Sequence, residues 1–190
     1  MTDAYFDSEE FTKIDFTKTK IKKGEYDNCV FTNCSFEGIQ ASNIQFVECQ
    51  FFDCNFSNTI VKDTAFKDVK FINCKMIGIK FNECDPFLLQ FSFKVCQLSF
   101  SSFYQLKIPK TLFSNCNLQE VDFTETILTS SIFDNCNLKG AIFDRTNLEK
   151  SDFITSTNFN IHPENNRLKG ARFSKENVAG LLFVYNVIVS

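Results

Sequence analysis

Tryptophan is absent from these 190 residues, histidine occurs once, at His162, and there are only three prolines and six glycines. Each scarcity closes off a class of chemistry. A lone histidine with no Cys-x-x-Cys pair leaves zinc without a set of four donors. Scattered glycines supply no phosphate-cradling loop. No apolar run approaches the roughly 18 residues of a membrane helix. The first residues lack the basic stretch and apolar segment of a secretion signal. The expectation is one cytoplasmic domain with no membrane contact, metal or cofactor. Catalysis requires convergent titratable groups in a pocket, and a chain so rich in apolar filling offers none, so no enzyme is expected.

Phenylalanine, by contrast, occurs 25 times, and at a fixed interval. From Phe113 every fifth residue is large and apolar: Leu118, Phe123, Leu128, Phe133, Leu138, Phe143, Leu148 and Phe153. Two places before each stands a compact residue, as at Thr111, Cys116, Val121, Thr126 and Ser151. A period of five is neither the 3.6 of a helix nor the 2 of a strand. Toward the N-terminus the frame runs through Ile108, Phe103, Leu98 and Phe93 to Leu88. It slips by two within residues 82–87, at Asp85-Pro86, and resumes from Phe81 back to Phe6. Together the runs hold 18 of the 25 phenylalanines, too many for chance. Two inward residues in five can line a narrow tube while three face water, its turns paired like strands roughly 4.8 Å apart.

Nine cysteines invite a disulfide framework, but the count is odd and no secretion signal is seen. All occupy the compact slot, where a buried thiol packs as a small hydrophobe. Cys34, Cys54 and Cys74 lie 20 residues apart, as do Cys96, Cys116 and Cys136. Asn28, Asn33, Asp53 and Asn73 precede cysteines at positions where a corner is expected, and their side chains suit turn geometry.

The five-residue unit, for instance Cys29-Val30-Phe31-Thr32-Asn33 or Cys136-Asn137-Leu138-Lys139-Gly140, resembles the pentapeptide-repeat family over residues 4–153. That resemblance implies an all-β fold, a right-handed quadrilateral β-helix with four pentapeptides per coil, whose 20 residues would stack each set of three cysteines in a column. Residues 1–173 are expected to form it, with the frame break at 82–87. Phe87 and Phe91 should sit partly outside at the break, and Phe100 and Tyr104 fall in outward slots nearby. Residues 154–167 read as an irregular side of the last coil, since Leu168 and Phe173 return on frame. Ser174 reads as the N-cap of a short helix through Leu182. An apolar tail follows and must cap the tube or pair with another copy. The residues for that role are Val178, Leu181, Leu182, Phe183, Val184, Tyr185, Val187, Ile188 and Val189.

This architecture is similar to that of the quinolone-resistance (Qnr-type) and microcin-immunity branch of the family. The resemblance implies a homodimer through the tails whose rod, like duplex DNA in shape and charge, binds DNA gyrase or topoisomerase IV and protects it from quinolones or toxins. No long loop stands out between coils, a feature several quinolone-resistance members rely on. Charge limits the mimicry. The stretch to Phe153 holds 21 acidic and 16 basic residues, a balance of -5, whereas about 35 Å of duplex carries roughly 20 negative charges. The lysines at 13, 18, 20, 22 and 23 are offset by nearby acids, so no direct nucleic-acid contact is expected. A local acidic surplus remains in Glu120, Asp122, Glu125, Asp134, Asp144, Glu149 and Asp152, the candidate partner-binding residues; an ordinary solvated face is the other reading. The alternative function is a structural interaction module with an unrelated protein partner.

Overall fold

The computed structural model describes residues 4–187. Among them are eleven short strands: β1 Ala4–Asp7, β2 Glu10–Thr12, β3 Gly24–Asp27, β4 Val30–Thr32, β5 Gln45–Val47, β6 Gln50–Phe52, β7 Ala65–Lys67, β8 Val69–Ile72, β9 Phe91–Lys94, β10 Leu112–Ser114 and β11 Ile132–Asp134. The odd-numbered strands to β7 form one parallel sheet; β2, β4, β6 and β8 to β11 form another. Partners lie one coil apart, Phe31 against Phe11 and Phe51, Phe113 against Phe133. Isolated bridges continue the ladders elsewhere, through Ser35, Asn55 and Lys75 and through Ser102, Asp122 and Ile142. The result is a parallel β-solenoid of about seven turns. Taken in chain order, the pentapeptides of a coil form side 1 (the first sheet), side 2 (the second), side 3 (the Ser35 ladder) and side 4 (the Ser102 ladder).

The period of five follows from how the tube fills. Phe113 lies 5.3 Å from Phe93 and 5.0 Å from Phe133 with rings nearly parallel, and meets Phe103 and Phe123 edge to face at 85° and 79°. All five rings are buried, and each such burial contributes on the order of 1.5–3 kcal/mol.

The compact slot does more than save space. The Thr126 hydroxyl donates to the Phe103 carbonyl at 2.8 Å, Thr146 to Phe123 at 2.8 Å and Ser151 to Leu128 at 2.7 Å. Cysteine thiols do the same, Cys74 to Phe51 and Cys136 to Phe113, each at 3.4 Å. The slot therefore favours small donors, each tying one coil to the previous one for about 0.5–1.5 kcal/mol net. Corner residues such as Asn28, Asn33, Asp53 and Asn73 have φ of 50–55°, a left-handed conformation that Asn and Asp adopt at low cost.

Residues 82–91 depart from expectation. Val69 pairs with Phe91 and Phe71 with Phe93, so this coil has 22 residues instead of 20. Leu88, expected inside, is 66% exposed; Phe87 is 65% exposed, and Phe91, expected partly outside, is only 3% exposed. The reason lies in register. Asp85 still pairs with Ala65 at the 20-residue offset, so the two extra residues must leave the tube between there and Phe91. Phe91 then enters a compact slot and packs against Phe66, Phe81, Phe93 and Phe103 at 5.0–6.5 Å, with Leu89 half-buried against the core beside it. Because side 1 absorbs the slip, the two expected cysteine columns join into one of six neighbouring thiols, Cys34, Cys54, Cys74, Cys96, Cys116 and Cys136.

The C-terminal end also differs. Phe173 returns on frame and stacks on Phe153 at 5.3 Å. In place of one helix from Ser174 come two 3₁₀ turns, Val178–Leu181 and Phe183–Tyr185. Ser174 Oγ does accept from the Asn177 N–H at 3.2 Å. The Asn177 side chain, however, belongs to the last coil: Nδ2 donates to the carbonyls of Phe153, Ile154 and Ser156 at 2.8, 3.2 and 3.0 Å. Gly180 presses on Phe159 so closely that a Cβ would clash with its ring. These contacts hold the segment flat against the tube end.

Candidate partner-binding surface

Seven acidic residues that follow one another in the chain need not share a face, and these do not. Asp122 and Asp144 lie on side 4, and Glu120 and Glu125 at its two corners. Asp134, in β11, and Asp152, bridged to Ile132, lie on side 2, across the tube. Glu149 follows Leu148 on side 1. The structure thus brings four together and sets three apart.

Arginines one coil further on restrain several of them. Arg145 lies 2.8 Å from Glu125 and 3.5 Å from Asp144, Arg167 2.9 Å from Glu149, and Arg172 2.9 Å from Asp152. Each pair is largely exposed and stabilises little, about 0–1 kcal/mol, but each weakens the local negative field. Asp134 is engaged by the hydroxyls of Ser114 and Thr155 at 3.0 and 3.1 Å. Among the described residues Glu120, Asp122 and Asp134 make no ion pair. Arg167 and Arg172 lie beyond the acidic stretch in sequence, and their offsets of 18 and 20 residues from Glu149 and Asp152 are the signal that pairs them.

At the C-terminal end Leu181 packs against the core and Leu182 is half-buried, while Val178, Phe183, Val184, Tyr185 and Val187 are exposed. Ile188 and Val189, assigned to the same role, lie outside the described residues.

The nine thiols are all buried and unpaired by disulfides. Burial pushes Cys49 and Cys84 up to about 12, which makes them poor nucleophiles. No group of three or more metal-ligating side chains gathers among the described residues, and no helix there is long and apolar enough to cross a membrane.

A family described as the pentapeptide repeat region matches residues 24–91 and 81–153. No curated protein matches the sequence. Among solved structures, a trypsin-treated variant of QnrB1, a plasmid-mediated fluoroquinolone resistance protein, is similar with a TM-score of 0.59 at 15% identity, over 98% of this chain and 92% of that one. HetL, a pentapeptide repeat protein involved in heterocyst differentiation regulation in the cyanobacterium Nostoc sp. strain PCC 7120, gives 0.51 at 11% identity, over 90% and 86%. Identities this low establish likeness of fold.

Proposed function

Because the chain belongs to the pentapeptide-repeat family, we propose that it is a non-enzymatic cytoplasmic binding protein whose rod engages DNA gyrase or topoisomerase IV and protects them from quinolones or toxins. The observation that supports this most is the likeness to QnrB1 along nearly the whole length of both chains. Glu120, Asp122, Glu125 and Asp144 around side 4 supply the part of a duplex-like surface that charge allows. The winding is taken as right-handed and the rod as four-sided, with two copies joined through the exposed tail residues and side 4 gripped by the enzyme. A gyrase supercoiling assay tests the reading. The protein should inhibit supercoiling or relieve its inhibition by a quinolone, and Asp122→Lys with Asp144→Lys should remove the effect. No effect at large molar excess, with another protein recovered in a pull-down, would favour an interaction module of different partnership.

A further inference from the structure

Side 4 carries a pattern that neither the fold nor gyrase recognition requires. Its outward positions form two columns. Before each inward residue stand Ile60, Lys80, Ser102, Asp122 and Ile142; Lys80, Ser102, Asp122 and Ile142 are joined by successive bridges, and Ile60 lies one coil ahead. After each inward residue stand Lys62, Asn82, Tyr104, Thr124 and Asp144, on the same five coils. Basic residues occupy the N-terminal coils and acidic ones the C-terminal coils. Four large apolar side chains are exposed along this side or at its corner: Ile60 at 42%, Phe100 at 65%, Tyr104 at 37% and Ile142 at 50%.

We infer that side 4 pairs with side 4 of a second copy, the two rods antiparallel about a two-fold axis through the coil of Ser102 and Tyr104. Such an axis, lying along the strand direction in the plane of the face, keeps each column but exchanges coils above and below it. Ile60 then meets Ile142 of the second copy, Lys62 meets Asp144 and Lys80 meets Asp122, while Asn82, in a 3₁₀ turn with its amide oxygen buried, takes no part. Tyr104 meets its own equivalent, and at the other edge of the face, beside Ser102, so does Phe100. Along the two columns apolar faces apolar and cation faces anion, which is the self-complementarity an isologous interface needs. At the corner Asp63 meets Arg145. One match is adverse, Glu83 against Glu125, and each is already paired within its own chain, with Lys80 at 3.7 Å and with Arg145 at 2.8 Å.

Five coils span only about 20 Å, and the face is narrower than the roughly 800 Å² per partner of a stable interface. The association is therefore weak, concentration-dependent and sensitive to salt. It also hides Asp122 and Asp144, so a self-paired rod cannot present them to another protein.

Sedimentation velocity of the full chain over a range of concentrations reads this out. Wild type should show an associating component whose apparent dissociation constant rises about tenfold between low and high salt. Lys62→Glu with Lys80→Glu should lose it, and so should Asp122→Lys with Asp144→Lys. An equimolar mixture of these two variants should regain it, because an all-acidic face then meets an all-basic one; a general folding defect would not be cured by mixing. The inference is overturned if no salt-sensitive component exists, if it persists unchanged in both variants as a tail-mediated dimer would, or if the mixture stays apart. Lys62→Glu with Lys80→Glu leaves the acidic residues intact, so it should keep any effect on gyrase, which separates this pairing from the proposed function.

Discussion

Phe91 occupies a compact slot only because two residues leave the tube just before it, and that dependence can be measured. Replacing it with threonine, the residue type that fills compact slots elsewhere, removes a ring in contact with four others. Loss of a fully buried phenylalanine costs on the order of 3–5 kcal/mol; the threonine methyl and hydroxyl recover part, leaving about 3 kcal/mol. For a chain of this size that lowers Tm by roughly 6–12 °C. Deleting Pro86 and Phe87 alone restores a 20-residue coil and drives Leu88 inward against a slot that Phe91 already fills, an overpacking worth about 1–3 kcal/mol. Combined, the changes place Leu88 between Phe66 and Ile108 and a small donor in the slot, so the penalties should largely cancel. Urea denaturation of the four proteins gives the coupling energy, expected to be at least about 2 kcal/mol and favourable. Additive losses would show that Phe91 and the loop are independent and that the explanation of the break is wrong.

Three further outcomes follow from separate features. Burial holds Cys49, Cys84 and Tyr26 up to about 12, above their values in an unfolded chain. Stability should be full below about pH 8.5 and fall as pH rises toward 12, by up to about 1.4 kcal/mol per pH unit for each group; a Tm unchanged at pH 11 would contradict this. Val95 is β-branched yet held at φ 58° and 43% exposed, so Val95→Asn should raise stability in urea by about 1 kcal/mol, and a loss would refute the strain. Asn177→Ala leaves three carbonyls without their donor and should cost about 2 kcal/mol. Hydrogen exchange should show faster opening at the Thr157 amide while that of Phe113 is unchanged; equal acceleration at both sites would mean that Asn177 acts globally.

Much of the interior was legible because a tube this narrow admits one large and one compact side chain per pentapeptide, and Phe113 to Phe153 obey that rule without exception. The break was harder. A two-residue slip shows that residues have been added but not where they leave the tube, and extending the frame back from Phe93 lands on Leu88. The alternative is decided by Asp85 holding its register with Ala65 and by the size of Phe91, neither of which is periodic. Nearness along the chain groups the acidic residues together; position within the 20-residue coil, equally readable, puts Asp134 and Asp152 on the side away from Asp122. Ser174 carries a local capping signal and does accept from the Asn177 N–H, but no helix starts there: Asn177 and Gly180 commit the next residues to Phe159 and the last coil, and such contacts have no local signature.

The amide of Asn177 has one more consequence. A rod whose strands all run parallel could in principle lengthen without limit by stacking copies head to tail, as fibrils do. With the carbonyls of Phe153, Ile154 and Ser156 already answered from within and a folded segment laid over them, the terminal coil offers no template to the opening strands β1 and β2 of a following molecule. Growth by stacking is barred at that end.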